Sequence, residues 1–235
     1  MLTEYVAVDL EMTGLRLARD RILEIGAVHM RERQEAGRYH VLVNPRIEIP
    51  EEIQRLTGIT QEMAAQGMEA AEAIDGFLEF CGGLPLVGHN ISFDYGFLKQ
   101  GAVNGGMELE APVADTLKIA RKLLPAEQKK SLEALCGQYD IPLKKHHRAL
   151  EDAAATAQLL ELLQETYGDT CPELFTPGPL EIKVKKQSPI TPRQKKYLKE
   201  LAAYHKIDLP MVDGYSKSQA SRLTDQLIAR YGRML

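Results

Sequence analysis

VAVDLEMTG, residues 6–14, decides how the chain is read. A run of β-formers, Val6-Ala7-Val8, ends on two carboxylates, Asp9 and Glu11, separated by one apolar residue and followed by a Thr13-Gly14 turn. Side chains alternate faces along a strand, so Asp9 and Glu11 share one side while Val8 and Leu10 share the other. Like charges held that close repel unless something positive sits between them. The alternative is a solvated strand end whose acids point into water, where Asp and Glu usually lie.

Outward from that stretch, three strand-like runs, EYVAVDLE, RILEIGAVHM and YHVLVN, are separated by short turn-rich segments and predict an antiparallel meander. From residue 60 the pattern alternates: helices around 60–80, a short strand in LPLVGH, a helix from about Phe93 to Gly101, a short strand in VADT, then helices to Tyr167. Strands first and alternating helices afterwards describe an α/β fold, a mixed sheet with helices packed on it. The stretch CPELFTPGPLEIKVKKQSPITP then packs in prolines and lysines, as a linker does. The division expected is a body over residues 1–170, a linker over 171–190 and a small basic helical module over 191–235. In the module, Thr191 is a candidate N-cap with Pro192 at the first helical position. Tyr197, Leu198 and Leu201 form one apolar face, and a second helix carries Ala220, Leu223 and Leu227 in register.

The formal net charge of −4 conceals an asymmetry: residues 181–235 hold 12 Lys and Arg against 5 Asp and Glu, a balance of +7. Clustered positive charge attracts phosphate irrespective of sequence, yet solvated helix faces are also lysine-rich, so substrate capture, protein docking and simple solvation all stand open. No apolar run approaches the roughly 18 residues of a membrane span, and the start has no signal-peptide pattern, so a cytoplasmic protein without membrane association is expected. Cys81, Cys136 and Cys171 are odd in number and form no CxxC pair, which predicts reduced thiols.

Two further stretches carry acids. GHNISFDYGFL, residues 88–98, puts Asp94 one turn into a helix between Phe93 and Phe97. A carboxylate beside core aromatics needs a partner, whereas a helix-start acid is also favoured simply by the macrodipole. In HHRALEDAAATAQLL, residues 146–160, Ala153, Ala157 and Leu160 give a helical apolar stripe, and Asp152 fits its buried side better than Glu151. His147, five residues before Asp152, could reach the same site; beside His146 and Arg148 it reads equally as part of a basic solvated loop.

DLEMTG, HNISFD and HHRALEDA follow the order and approximate spacing of the three exonuclease motifs of the DEDD superfamily, over roughly residues 3–165. The histidine before the last aspartate resembles the DEDDh-type (DnaQ-like) branch, similar to bacterial proofreading epsilon subunits and the exonuclease domain of the PolC replicative polymerase. The resemblance implies an RNase H-like fold with a mixed five-stranded sheet. It also implies that Asp9, Glu11, Asp94 and Asp152 hold two divalent ions, Mg²⁺ or Mn²⁺, since an all-oxygen ligand set selects hard cations. His147 would be the general base, a role suited to a side chain titrating near neutrality. The implied reaction is hydrolysis of the terminal phosphodiester at a free 3′ end, with release of a nucleoside monophosphate. DNA is the expected substrate, in proofreading or repair; RNA, short oligonucleotides, or a non-catalytic nucleic-acid-binding adaptor are the alternatives.

For substrate contacts, the resemblance sets Met12, Thr13 and Gly14 against the terminal nucleotide, although Thr13-Gly14 is also an ordinary turn. RLTGIT, residues 55–60, resembles a family stretch that holds the 3′ end, with Leu56 and Ile59 either touching substrate or lying in the core. Asn90 either hydrogen-bonds substrate or caps the following helix. Asp115-Thr116 reads as a helix cap, Glu24 as a strand acid outside the motifs, and His29, His40 and His205 as histidines without an acid or thiol partner at metal-ligand spacing. With Asp9 so close to Met1 and little chain after the module, no polymerase domain is expected here, and proofreading would need a polymerase or repair partner in trans.

Overall fold

Strand β1 (Glu4–Met12) lies at the centre of the sheet. It pairs antiparallel with β2 (Ile22–Arg31), which pairs antiparallel with β3 (Gln34–Leu42). On its other edge β1 pairs in parallel with β4 (Leu86–Gly88), and β4 pairs in parallel with β5 (Val113–Asp115). The order β3-β2-β1-β4-β5 is the mixed five-stranded, RNase H-like sheet expected from the sequence. The chain is seen in a computed structural model that describes residues 2–143 and 147–234.

The antiparallel half is local. Glu32 and Arg33 both take positive φ (49° and 65°), the left-handed pair that a two-residue hairpin requires. The parallel half needs crossovers. Helices α1 (Glu51–Thr57), α2 (Gln61–Ala65) and α3 (Ala70–Cys81) carry the chain from β3 to β4, and α4 (Ser92–Gly105) carries it from β4 to β5. The helical region expected around 60–80 is thus three helices beginning at Glu51. Gly58 closes α1 in a left-handed C-cap (φ 71°), and the Thr60 hydroxyl accepts the Met63 amide to start α2. Helix α4 runs past the expected stop at Gly101, because that glycine serves packing: a Cβ there would lie 2.1 Å from Ile74 Cδ1 of α3. After β5 come α5 (Thr116–Leu123), α6 (Leu132–Gln138) and α7 (Ala149–Tyr167).

Alternation along β1 divides the core into two layers. Tyr5 and Ala7 pack with α5, α6 and α7, whereas Val6, Val8 and Leu10 pack with α3 and α4. Helix α7 crosses β1 and β2 so closely that a Cβ on Gly26 would sit 2.1 Å from the Leu150 amide nitrogen and 2.2 Å from the Ala149 carbonyl carbon. Gly26 is the cross-strand partner of Asp9, so this close approach occurs directly over the first acid.

Residues 171–190 run along the body. A short 3₁₀ helix, Pro172–Phe175, delivers the buried Phe175 ring to the α7 layer, Gly178 exchanges two backbone hydrogen bonds with Val113 (2.8 and 3.0 Å), and Leu180 and Ile182 cover the α4 layer. Helices α8 (Pro192–His205) and α9 (Lys217–Tyr231) form a hairpin around Leu198, Val212 and Ala220. Each starts on a capping box, Thr191 with Gln194 and Ser216 with Gln219. Arg21 ties the hairpin to the sheet, its Nη2 donating to the Gly214 carbonyl (2.6 Å) and to Gln219 Oε1 (2.7 Å). Among the described residues no helix is long and apolar enough to cross a membrane, and all three cysteines are free.

Candidate active site

Three elements meet at the C-terminal end of β1. Asp9 and Glu11 continue the Tyr5–Ala7 face and so point toward the α7 layer. Asp152, in the first turn of α7, is buried there. Asp94 arrives from the other layer, and the short β4 makes this possible. Strand β4 pairs only with Val6 and Ala7, leaving the Leu10 amide without a strand partner on that edge; Asp94 Oδ1, in the first turn of α4, accepts it at 3.1 Å. A backbone hydrogen bond that the sheet does not supply thus holds the third acid in position.

His147 takes a left-handed φ of 64°, and its amide donates to Asp152 Oδ2 at 3.1 Å. Potential ligand atoms of Glu11, His147 and Asp152 all lie within 4.8 Å of one another. These residues, with Asp9 and Asn90, line an open groove of about 510 Å³ that also receives Lys130. Burial, and then the charges of Asp94, Asp152 and Glu11, push Asp9 well above the usual carboxylate range. Burial together with Asp152, Glu24 and Asp94 pushes Glu11 up to about 8, with Arg148 opposing. Burial likewise lifts Asp94 to about 7, although the Leu10 amide favours its charged form. So dense a set of buried carboxylates holds protons at neutral pH unless a cation neutralises it. An oxygen-rich donor set with one imidazole beside it suits a hard divalent ion, so the residues fit the metal that the motifs imply.

Glu24 is the residue that the motif reading left aside. It lies opposite Glu11 in the β1–β2 ladder and is fully buried. Arg148 donates to it through Nε (3.0 Å) and Nη2 (2.7 Å), the Ala149 amide donates at 3.0 Å, and His40 Nε2 lies 2.6 Å away. Burial alone would raise Glu24, but the donors from His40, Arg148 and Ala149 outweigh it and hold the carboxyl at about 2. This network anchors the start of α7, two residues after His147. His29 and His40, which have no acid or thiol partner at metal-ligand spacing in the sequence, each meet one carboxylate in the fold: His29 Nε2 lies 3.1 Å from Glu4 Oε1, and His40 meets Glu24. Both pairs form across strands, so linear spacing does not reveal them. His89 is a second omission. Its ring bridges Thr116 Oγ1 (2.9 Å) and the Lys130 carbonyl (2.8 Å), fixing the segment that brings Lys130 to the groove.

Asp115 caps α5 as expected, accepting the amides of Leu117 (3.0 Å) and Lys118 (3.3 Å), and it also accepts the Asn90 amide at 3.0 Å. Asn90 itself does not cap α4, whose N-cap is Ile91 with no side-chain hydrogen bond. Asn90 occupies the preceding turn at φ 71°. Ile59 is fully buried with Leu23, Ile49 and Ala64, while Leu56 is 50% exposed and is not core. Thr13 is buried and closes a loop, its amide donating to the Arg21 carbonyl (2.8 Å) and its Oγ1 accepting the Arg21 amide (2.9 Å). Met12 is half-buried beside it, and Gly14 makes room for Asp20, whose Oδ2 would lie 2.5 Å from a Cβ at that position. His146 lies outside the described residues.

The RNase T family, described as an exonuclease, matches residues 6–160. A PolC-type DNA polymerase III of Clostridium perfringens is 40% identical over 158 residues, which make up 67% of this chain and 11% of the polymerase. The corresponding polymerase of Bacillus cereus is 39% identical over 157 residues, again 11% of its length. Among solved structures, E. coli Exonuclease I in complex with a dT13 oligonucleotide is similar with a TM-score of 0.65 at 19% identity, over 74% of this chain and 44% of that one. Exonuclease X in complex with 5′ overhanging duplex DNA is similar with a TM-score of 0.60 at 28% identity, over 72% of this chain and 96% of that one.

Proposed function

The chain belongs to the RNase T/DnaQ-like family of DEDD 3′–5′ exonucleases, and on that premise we propose that it shortens DNA strands from a free 3′ end in a divalent-metal-dependent reaction that releases nucleoside monophosphates. The observation that carries this reading is that Asp9, Glu11, Asp152 and His147 line one open groove, with Asp94 held behind it on the Leu10 amide and close enough to raise Asp9. The four acids would hold two ions, Mg²⁺ or Mn²⁺. Bound there, the ions supply Lewis acidity and neutralise charge on the scissile phosphate.

The chain's own groups do the rest. The His147 imidazole, close to Glu11 and Asp152, takes the proton of the attacking water as general base. The Leu10 amide keeps Asp94 aimed at the cluster, and the Glu24–Arg148–His40 network keeps the first turn of α7 where Asp152 can join it. Met12, Thr13, Gly14, Leu56 and Asn90 are the proposed contacts to the terminal nucleotide. The exposure of Leu56 and the groove position of Asn90 support their inclusion, and Ile59 supports the same segment from the core.

DNA as substrate is supported by kinship with a DNA polymerase at 40% identity and by the DNA complex of Exonuclease X. A polymerase or repair partner in trans belongs to the same proposal. The test uses 5′-labelled DNA and RNA, single-stranded and duplex, with Mg²⁺, Mn²⁺ or chelator. Stepwise shortening from the 3′ end that is faster on DNA and abolished by chelator is the expected result. Faster shortening of RNA would move the substrate to RNA, and internal cuts or intact strands would overturn the proposal.

A further inference from the structure

A second cleft, of about 540 Å³, opens between the loop that follows β1 and helix α9. Residues 14–20 leave the sheet at Thr13 and return at Arg21, closed at the base by the two Thr13–Arg21 hydrogen bonds. Asp9 and Glu11 lie four and two residues before Thr13 in β1, so the loop stands at the end of the sheet where the acids converge. Arg16 and Arg19 enter the cleft from the loop, Arg222 from α9, and Tyr215 from the turn that leads into α9.

The cleft is rigidly built. Arg21 donates to the Gly214 carbonyl and to Gln219 Oε1, Gln219 Nε2 donates to the Arg19 carbonyl (3.1 Å), and the Gly214 amide donates to the Arg46 carbonyl (2.6 Å). Gln219 is buried while making these bonds. The lining carries one acid against three arginines. That acid, Asp20, accepts the Arg16 amide (2.7 Å) and faces Arg19 Nε at 3.8 Å. Arg16 and Arg222 form no ion pair with any described residue. Guanidinium groups left uncompensated in a preorganised cleft match phosphate oxygens, and a half-buried tyrosine ring offers a stacking face to a base.

We propose that this cleft binds the phosphodiester backbone of the strand whose 3′ end enters the catalytic groove, which makes the C-terminal hairpin a second strand-holding element. The proposal rests on the exonuclease reading. It also gives a role to one basic residue of the C-terminal segment, Arg222, beside two arginines of the loop after β1.

The test measures binding of fluorescein-labelled 20-nucleotide DNA and RNA in chelator, as log affinity against log salt, for the full chain and for Arg16→Gln/Arg222→Gln. Each single-strand phosphate contact contributes about 0.7 to the slope, so the double variant should lose about 1.4 in slope and roughly tenfold in affinity, on DNA and RNA alike. An unchanged slope at an unchanged melting temperature overturns the proposal. So does an equal loss from Arg193→Gln/Lys196→Gln, which lie on α8 outside this cleft and report only overall charge. Trimming of the same DNA by the unmodified chain with Mg²⁺ separates the two readings. Trimming with an unchanged slope removes the cleft alone, whereas binding without trimming removes the exonuclease reading alone.

Discussion

Glu11 and Glu24 face each other across the β1–β2 ladder, and their surroundings drive them in opposite directions. Glu11, pushed from 4.5 to about 8, contributes stability that is fully present below its unfolded value and lost as pH rises through 8. Glu24, held at about 2 against 4.5 unfolded, contributes stability present above 4.5 and lost as pH falls toward 2, on the order of 3 kcal/mol. In chelator, the melting temperature should therefore rise as pH falls from 8 toward 5, then drop in stronger acid; Glu24→Gln should flatten the acid limb and, because the Glu24 charge helps raise Glu11, also lessen the alkaline one. Calorimetry across pH checks both limbs, and a melting temperature that rises steadily toward pH 8 in chelator would contradict the assignment. At His147, replacement by Ala should lower the single-turnover rate by about 10²–10⁴ and leave strand binding largely intact. A near wild-type rate would mean that the site works without this base. Asp9, Glu11, Asp94, His147 and Asp152 are legible in the sequence because each sits in a short motif. Glu24, His40 and Arg148 are not, because their partnership is made by strand pairing and by the fall of α7 across the sheet.

At the scale of elements, Gly26 sets the distance between α7 and the sheet. Ala at this position would meet backbone at 2.1 Å, and backbone cannot rotate away as a side chain can, so α7 must lift. Gly26→Ala is expected to cost about 2 kcal/mol or more in stability and to reduce hydrolysis disproportionately, because Asp152 rides on the lifted turn. Denaturant unfolding alongside the rate of nucleotide release measures both, and an unchanged rate would show that the Asp152 position tolerates the shift. The same element scale marks what the sequence pattern conveys. The strands were legible because β1 and β2 are long and apolar, α5 and α8 because Asp115 and Thr191 cap them, and α9 because Ala220, Leu223 and Leu227 keep a helical register. The start of α1 behind Pro50 and the passage of α4 through Gly101 were not, since one has no side-chain cap and the other depends on a contact with Ile74 in a different helix. Asn90 misled for a related reason: a residue type that favours caps here occupies a left-handed turn one position early.

At the scale of the whole molecule, the two layers on either side of the sheet explain why acids so distant in sequence meet. The α7 layer brings Asp152 to the face that bears Asp9 and Glu11, and the α4 layer brings Asp94 around the end of the short β4. Carboxylates gathered this way make the metal-free fold carry its own repulsion, so Mg²⁺ should raise the melting temperature, and by more near pH 8 than near pH 5, where protons already neutralise the cluster. Equal shifts at both pH values would place the ion elsewhere. The central claim is that these four carboxylates form one cation-dependent hydrolytic centre, and Asp9→Asn tests it most directly because it removes one charge with almost no change in shape. Shortening of a 5′-labelled DNA strand, measured at saturating Mg²⁺ beside the chelator melting temperature, should slow by at least about 10³-fold while the melting temperature holds or rises. A correctly folded Asp9→Asn protein that trims DNA at the wild-type rate would contradict it.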